Sequence, residues 1–243
     1  MKEFDVKKIR VVAMDLDGTL TQHKSPLTPE NRAALDALGR RYKLLMAGAG
    51  QVMRIFNQMR YPIDIIGNYG LQYGEYDEEN DTMRILRDAV LPCDRAEAER
   101  RAAVLREKHG FTFFYGDSVE FHPSGCLTFA LLGTKAPADE KLAFDPDRKK
   151  RRAFYKEVCD AFPEYRVFVG GSSSFDMAPA PYDKYYALDL YCKEKGLSHE
   201  NVVYIGDDYG MGGNDESVYV SDFPYLTIDD YRTFPEVVAP LLK

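Results

Sequence analysis

Two carboxylates stand one residue apart in Asp15-Leu16-Asp17-Gly18-Thr19-Leu20, at the exit of the apolar run Ile9 to Met14, broken only by Arg10. Such a run reads as a strand buried in a parallel sheet, and in open α/β sheets ligands sit beyond the carboxyl ends of the strands. Strand alternation would send Asp15 and Asp17 to the same side, Gly18 lets the chain turn sharply, and Thr19 can tie its hydroxyl back to the turn. Like charges this close call for a cation or a shared proton. The same letters also spell an ordinary Asp-Gly turn after a strand. A second acidic exit follows Val202 to Ile205 in Gly206-Asp207-Asp208, and Gly212-Gly213-Asn214-Asp215 comes shortly after. In a parallel sheet both exits share one edge, and the summed negative charge then suits a hard cation with oxygen ligands, Mg²⁺ foremost. Taken alone, the second exit has an alternative reading as a glycine-rich surface loop with helix-capping acids. Lys184, at the start of a helix, could neutralise a phosphoryl group or an aspartate, or could simply be solvated.

The elements that would carry these residues are legible in outline. Thr28-Pro29-Glu30 opens a helix, with Thr28 as N-cap and Pro29 at the first helical position. Tyr42 to Ala47 reads as a second strand, Val52 to Met59 as a helix, and Ile63 to Ile66 as a third strand, the grammar of a parallel sheet. From about Leu71 to Met177 hairpins mix with two charged helices, Arg95 to His109 and Pro146 to Phe162, which suggests an α+β module with an antiparallel sheet. The parallel grammar resumes with the helix Asp183 to Glu194 and the strand Val202 to Ile205. The expected organisation is a core over residues 1–83 and 182–243 with an inserted domain over 84–181. A chain of 243 residues, 45% of them hydrophobic, can bury such a core. The net charge of −7 argues against a nucleic-acid surface, and no run is long or apolar enough to cross a bilayer. The charged start, Met1 to Arg10, does not read as a secretory signal, so a cytoplasmic protein is expected. Cys93, Cys126, Cys159 and Cys192 fall 33 residues apart, but their flanks share no pattern and they read as reduced thiols.

Asp-x-Asp-Gly-Thr-Leu at 15–20, Lys184, and Gly206-Asp207-Asp208 with Asn214-Asp215 together resemble the haloacid dehalogenase superfamily of phosphotransferases. Within it, Gly-Gly-Ser-Ser-Ser-Phe-Asp-Met-Ala-Pro at 170–179 continued by Asp183-Lys184, the run 206–215, and Val119-Glu120-Phe121 with Leu127 resemble the eukaryotic-type phosphomannomutases. The similarity spans nearly the whole chain. It implies an α/β fold, a Rossmann-like parallel-sheet core with an inserted α+β cap, and an enzyme acting on a small phosphorylated substrate. It further implies that Asp15 is the nucleophile and Asp17 the acid and base, with Lys184 completing the charge balance. Mg²⁺ would be held by Asp15, the Asp17 main-chain carbonyl and Asp207, with Asp208, Asn214 and Asp215 around them. Ser174 and Asp176 match positions that touch sugar hydroxyls. Two departures stand out. Ala47-Gly48-Ala49-Gly50-Gln51 lacks the Ser or Thr hydroxyl found after the second strand, leaving backbone N–H groups of Gly48 and Gly50 to receive phosphate. The cap arginines that clamp a distal phosphate are not evident: His122 and Thr134 stand near two of their places, and the basic run 148–152, near a third, reads as a solvated helix face. Mg²⁺-dependent hydrolysis of a sugar phosphate is therefore the first expectation, phosphomannomutase activity the alternative, and a binding protein without turnover a third. The cap's sheet could also pair across a two-fold axis as a homodimer.

Overall fold

A computed structural model of the chain describes residues 4–243; Met1 to Glu3 of the charged start lie outside the described residues. In chain order the strands are β1 Val11–Met14, β2 Lys43–Ala47, β3 Asp64–Gly67, β4 Gln72–Asp77, β5 Thr82–Asp88, β6 Val119–Phe121, β7 Leu127–Ala130, β8 Tyr165–Phe168, β9 Ser174–Pro179, β10 Val202–Gly206 and β11 Tyr225–Thr227. The α-helices are α1 Pro29–Gly39, α2 Val52–Met59, α3 Arg95–His109, α4 Ala138–Phe144, α5 Lys149–Ala153, α6 Tyr155–Ala161, α7 Lys184–Lys195, α8 Glu216–Tyr219 and α9 Phe234–Val238. They fall into two compact units: one holds the chain up to Asp88 with Asp183–Gly210 and Asp215–Lys243, the other Ala89–Tyr182 with Met211–Asn214.

The first unit is built on one sheet in the order β11-β10-β1-β2-β3-β4-β5, parallel from β11 to β3 and antiparallel beyond. Alternation along its strands supplies two cores. Val12, Met14, Met46, Ile65 and Ile205 pack with Leu35 and Leu38 of α1, Ile55 and Phe56 of α2 and Phe234 of α9. Their neighbours Val11, Ala13, Leu45 and Tyr204 pack with Ala187, Leu188 and Tyr191 of α7. Covered on both faces, β1 is buried at every position, and each enclosed aliphatic side chain contributes about 1.5–3 kcal/mol. The result is the parallel-sheet α/β core expected from the strand grammar, Rossmann-like as the family resemblance implied.

The hairpin over Leu71 to Leu86 belongs elsewhere than the sequence suggested. β4 pairs with β3, and β5 with β4, so the hairpin extends the core sheet and does not open the inserted module. For the same reason the expected border between residues 83 and 84 falls inside β5, and the first unit runs on to Asp88.

The second unit carries an antiparallel sheet in the order β6-β7-β9-β8. Leu127, Phe129, Phe175, Met177 and Val167 face Ala102 and Leu105 of α3 and Val158 of α6. The continuous helix expected over Pro146 to Phe162 is broken: Arg148 has φ 60, and α5 and α6 meet at Phe154 with ψ 16. Asp145 sets the late start of α5. Its carboxylate accepts the backbone N–H groups of Lys150 and Arg151 and the Arg151 Nε at 2.8 Å, which fixes a new helix start and turns Arg151 inward.

Candidate active site

Asp15 follows β1 directly and keeps the sheet's pairing for one more residue, its N–H donating to Ile205 O. Its side chain is 8% exposed. Lys184, first residue of α7, reaches it at 2.9 Å and Asp215 at 2.7 Å. The helix start that places this lysine is set by Asp183, whose carboxylate accepts the N–H of Tyr186 as an N-cap. Asp215 is fully enclosed, its Oδ1 taking the Tyr204 hydroxyl as well as Lys184, and its Oδ2 the N–H of Asp208. One cation thus serves two buried acids. Burial pushes the Asp15 carboxyl up to about 8, with Asp215 and Asp207 adding to the rise and Lys184 opposing it. Burial also opposes the charge on Lys184, yet Asp15 and Asp215 outweigh it and hold the ammonium protonated.

Asp207 follows β10 at the same edge and accepts the Thr19 hydroxyl at 3.0 Å. Thr19 therefore serves the neighbouring acid and not its own turn, as the sequence had suggested. Gly18 has φ +98 and presses its Cα against the Asp207 carboxylate, where a Cβ would collide. Burial, with Asp215 next, pushes Asp207 up to about 6. Oxygens of Asp15, Asp207 and Asp215 all lie within 4.8 Å of one another. Near Gly206 the buried Tyr225 hydroxyl has no hydrogen-bond partner among the described residues. An all-oxygen set with more negative charge than its lysine can balance fits a hard divalent cation, and it places the Asp215 carboxylate beside the expected Asp15 and Asp207.

Asp17 faces different partners from Asp15. Its Oδ1 accepts the Gln58 amide and the Lys24 N–H, both at 2.8 Å, and its Oδ2 lies 3.7 Å from Nη2 of Arg54. Gln58 also reaches Thr21 Oγ1 and Ser25 O, tying α2 to the aspartate loop. The expectation that Gly48 offers its N–H to phosphate is corrected: that N–H donates to Ile66 O at 2.9 Å, continuing the β2–β3 pairing. Val52 N–H, at the start of α2, goes to Gln72 Oε1. At Gly50 a Cβ would fall on the Arg54 guanidinium.

In the second unit Asp176 of β9 accepts the Thr128 hydroxyl at 3.0 Å, and Thr128 Oγ1 lies 3.2 Å from His122 Nε2. Burial raises the Asp176 carboxyl above its ordinary value. Ser174 donates to Gly170 O. Asn214 groups with this unit, whereas Asp208 and Asp215 group with the first. The basic run is not a solvated face throughout. Arg151 is fully enclosed, bonded to Asp145 and to the carbonyls of Gly170, Gly171 and Ser174.

Tyr204, Gln58 and Arg54 were not singled out from the sequence. A tyrosine inside the aliphatic run Val202-Val203-Tyr204-Ile205 was a usable signal, since a buried hydroxyl needs a partner. Gln58 and Arg54 stand four residues apart on the face of α2 opposite its buried stripe Val52, Ile55, Phe56 and Met59, which nothing local separates from solvated surface.

Residues 112–233 match the family model described as eukaryotic phosphomannomutase. Phosphomannomutase 1 of Mus musculus is 25% identical over 229 residues, spanning 88% of this chain and 84% of the mouse protein. The phosphomannomutase of Saccharomyces cerevisiae is 30% identical over 112 residues, 44% of this chain and 42% of the yeast protein. Among solved structures, an IMP-bound, N-terminally truncated IMP-nucleotidase of Plasmodium falciparum superposes with TM-score 0.74 at 10% identity, covering 96% of this chain and 68% of that one. A haloacid dehalogenase-like hydrolase of Bacteroides thetaiotaomicron does so with TM-score 0.55 at 17% identity, over 96% and 99%. At these identities the two structures speak to the fold alone.

Proposed function

Because this chain belongs to the eukaryotic phosphomannomutase family of the haloacid dehalogenase superfamily, we propose that it moves a phosphoryl group on a hexose phosphate through Asp15, interconverting mannose 1-phosphate and mannose 6-phosphate. The observation that carries the phosphoryl-transfer part is the set of Asp15, Asp207 and Asp215 around the enclosed Lys184. The mutase part draws on the names of the relatives, and it moves ahead of the hydrolysis that the sequence put first.

An Asp15 carboxylate oxygen attacks the phosphorus while the ester P–O bond breaks, and the departing sugar oxygen takes a proton from Asp17. In the return step Asp17 removes the proton of the acceptor hydroxyl, whose oxygen attacks the phosphorus and frees Asp15. Gln58 and Lys24 N–H hold Asp17 in place for both transfers. Lys184 fixes the attacking carboxylate and offsets its charge, and Asp215 with Tyr204 fixes Lys184. Asp15 and Asp207 are the ligands we assign to Mg²⁺, which when bound would screen the nucleophile from the phosphate charge. Ser174 and Asp176 are assigned to the sugar hydroxyls.

Hydrolysis stands as a second reading on one observation. Arg151 is enclosed and bonded to four partners, Thr134 Oγ1 is hydrogen-bonded to the Asp117 N–H, and His122 lies against Thr128, so these groups offer no free guanidinium to a second phosphate. Incubation with mannose 1-phosphate and Mg²⁺, with and without a hexose bisphosphate, decides between them. Activator-dependent mannose 6-phosphate is expected; free phosphate without the isomer would replace the mutase with the hydrolase. Asp15→Asn should abolish either product.

A further inference from the structure

We propose that Arg54 is the group that grips the transferring phosphoryl group at the carboxyl edge of β2, and that Gly50 is bare so that the guanidinium can lie there. The inference rests on the phosphoryl-transfer reading above and adds to it a residue that neither the motifs nor the comparisons mark.

The placement follows from the sheet. β1 and β2 run parallel with Met14 opposite Met46, so the turn after Ala47 leaves the sheet beside Asp15. That turn carries no hydroxyl between Ala47 and Gly50, and the N–H groups of Gly48 and Val52 are already bonded within the protein. A phosphoryl group seated there meets a site poor in side-chain donors from its own loop. Arg54, in the first turn of α2, folds its side chain back over Gly50 so closely that a Cβ on that residue would overlap Nε, Cζ and Nη2. The guanidinium is steered by two contacts, Nη1 to Gln58 Oε1 at 3.0 Å and Nη2 to Asp17 Oδ2 at 3.7 Å. Its side chain nevertheless keeps 44% of its surface exposed.

Charge leads to the same place. A phosphomonoester brings up to two negative charges to an edge that already holds Asp15, Asp17 and Asp207. Lys184 is 1% exposed and committed to Asp15 and Asp215, so its donors are directed inward. Arg54 offers a planar fork on the open side, the geometry that suits phosphate oxygens, with Asp17 beside it where the leaving oxygen must be protonated. A guanidinium here would hold a non-bridging oxygen and orient the ester toward Asp17 in the same act.

The test uses the full chain with Mg²⁺ and inorganic phosphate as the probe. Titration calorimetry should show phosphate binding at least about 10-fold weaker in Arg54→Met, and turnover of mannose 1-phosphate about 10²-fold lower, with Mg²⁺ affinity and melting temperature near wild type. Gly50→Ser alone should weaken phosphate binding by displacing Arg54. Gly50→Ser in the Arg54→Met background should recover part of it, because a hydroxyl then stands in the vacated space. Equal phosphate affinity in wild type and Arg54→Met would overturn the proposal. So would a loss confined to the acidic or basic limb of the pH profile, which would make Arg54 a positioning residue for Asp17. Failure of the underlying reading looks different: wild type itself would bind no phosphate in the presence of Mg²⁺, and the assignment of Arg54 would fall with it.

Discussion

Asp15 and Asp17 have the same side chain two positions apart, and their surroundings make them unlike. Asp15 is buried against Lys184, whereas Asp17 is held by an amide, a backbone N–H and the edge of a guanidinium. This difference has a measurable pH consequence. The folded protein binds the Asp15 proton up to about 8 against an ordinary value of 3.8, so it holds more protons than the unfolded chain across that interval. Stability from this group is therefore present at low pH and falls as pH rises from about 4 to about 8. Asp207 acts with the same sign up to about 6. In chelator, Asp15→Asn should gain melting temperature relative to wild type as pH is raised through that window, and Mg²⁺ should close the gap by binding wild type. Thermal melts across pH check it; a difference independent of pH would refute the charge account. The acids themselves were legible as letters, and their unequal partners were not. Gln58, Arg54 and Lys24 come from other stretches, and alternation along one strand cannot say what awaits at its exit.

At the scale of elements, the strand exits were readable because a buried parallel strand has a distinctive run and ends where its ladder ends. The β4–β5 hairpin was misplaced because alternation says that two strands pair, without saying which sheet they join. The late start of α5 was hidden because Asp145 sets it with its own carboxylate, a side-chain to backbone contact that competes with helical periodicity. The same chemistry works constructively at α7. Asp183 caps the helix, and the next residue is the lysine that the site depends on. Asp183→Ala should cost about 1 kcal/mol of stability by denaturant unfolding. Turnover should drop further than that loss implies, with kcat affected more than KM, because the first turn carries Lys184. A variant with lower stability and unchanged kcat would separate the cap from the site.

For the whole molecule, the organisation into a parallel-sheet core and an antiparallel-sheet insertion was visible in the change of grammar along the chain. Its borders required the sheet pairings, and the membership of Met211–Asn214 in the second unit could not be seen in the text of the sequence. Each unit also has its own buried ion pair, Lys184 with Asp15 and Asp215 in one, Arg151 with Asp145 in the other. Arg151→Met leaves Asp145 enclosed without its cation and should cost the second unit about 3–5 kcal/mol. Hydrogen exchange should then quicken in β8 and β9 while β1 and β10 stay protected, and Mg²⁺ affinity should persist. Equal quickening in both sheets would mean that the units unfold as one.

The quartet Asp15, Lys184, Tyr204 and Asp215 carries a consequence for substitution. Its members come from a strand exit, a helix start, a strand interior and a loop end, yet they share one enclosed positive charge. Replacing the lysine alone strands two acids, and replacing either acid alone strands part of the lysine's charge, so the energetic effects of these substitutions are coupled and do not add. Arg54, with 44% of its side chain exposed and a lighter set of contacts, carries no such folding restraint, and its loss is expected to cost turnover rather than stability. The inner site therefore resists change one residue at a time, while Arg54 can be exchanged without leaving a buried charge unpaired.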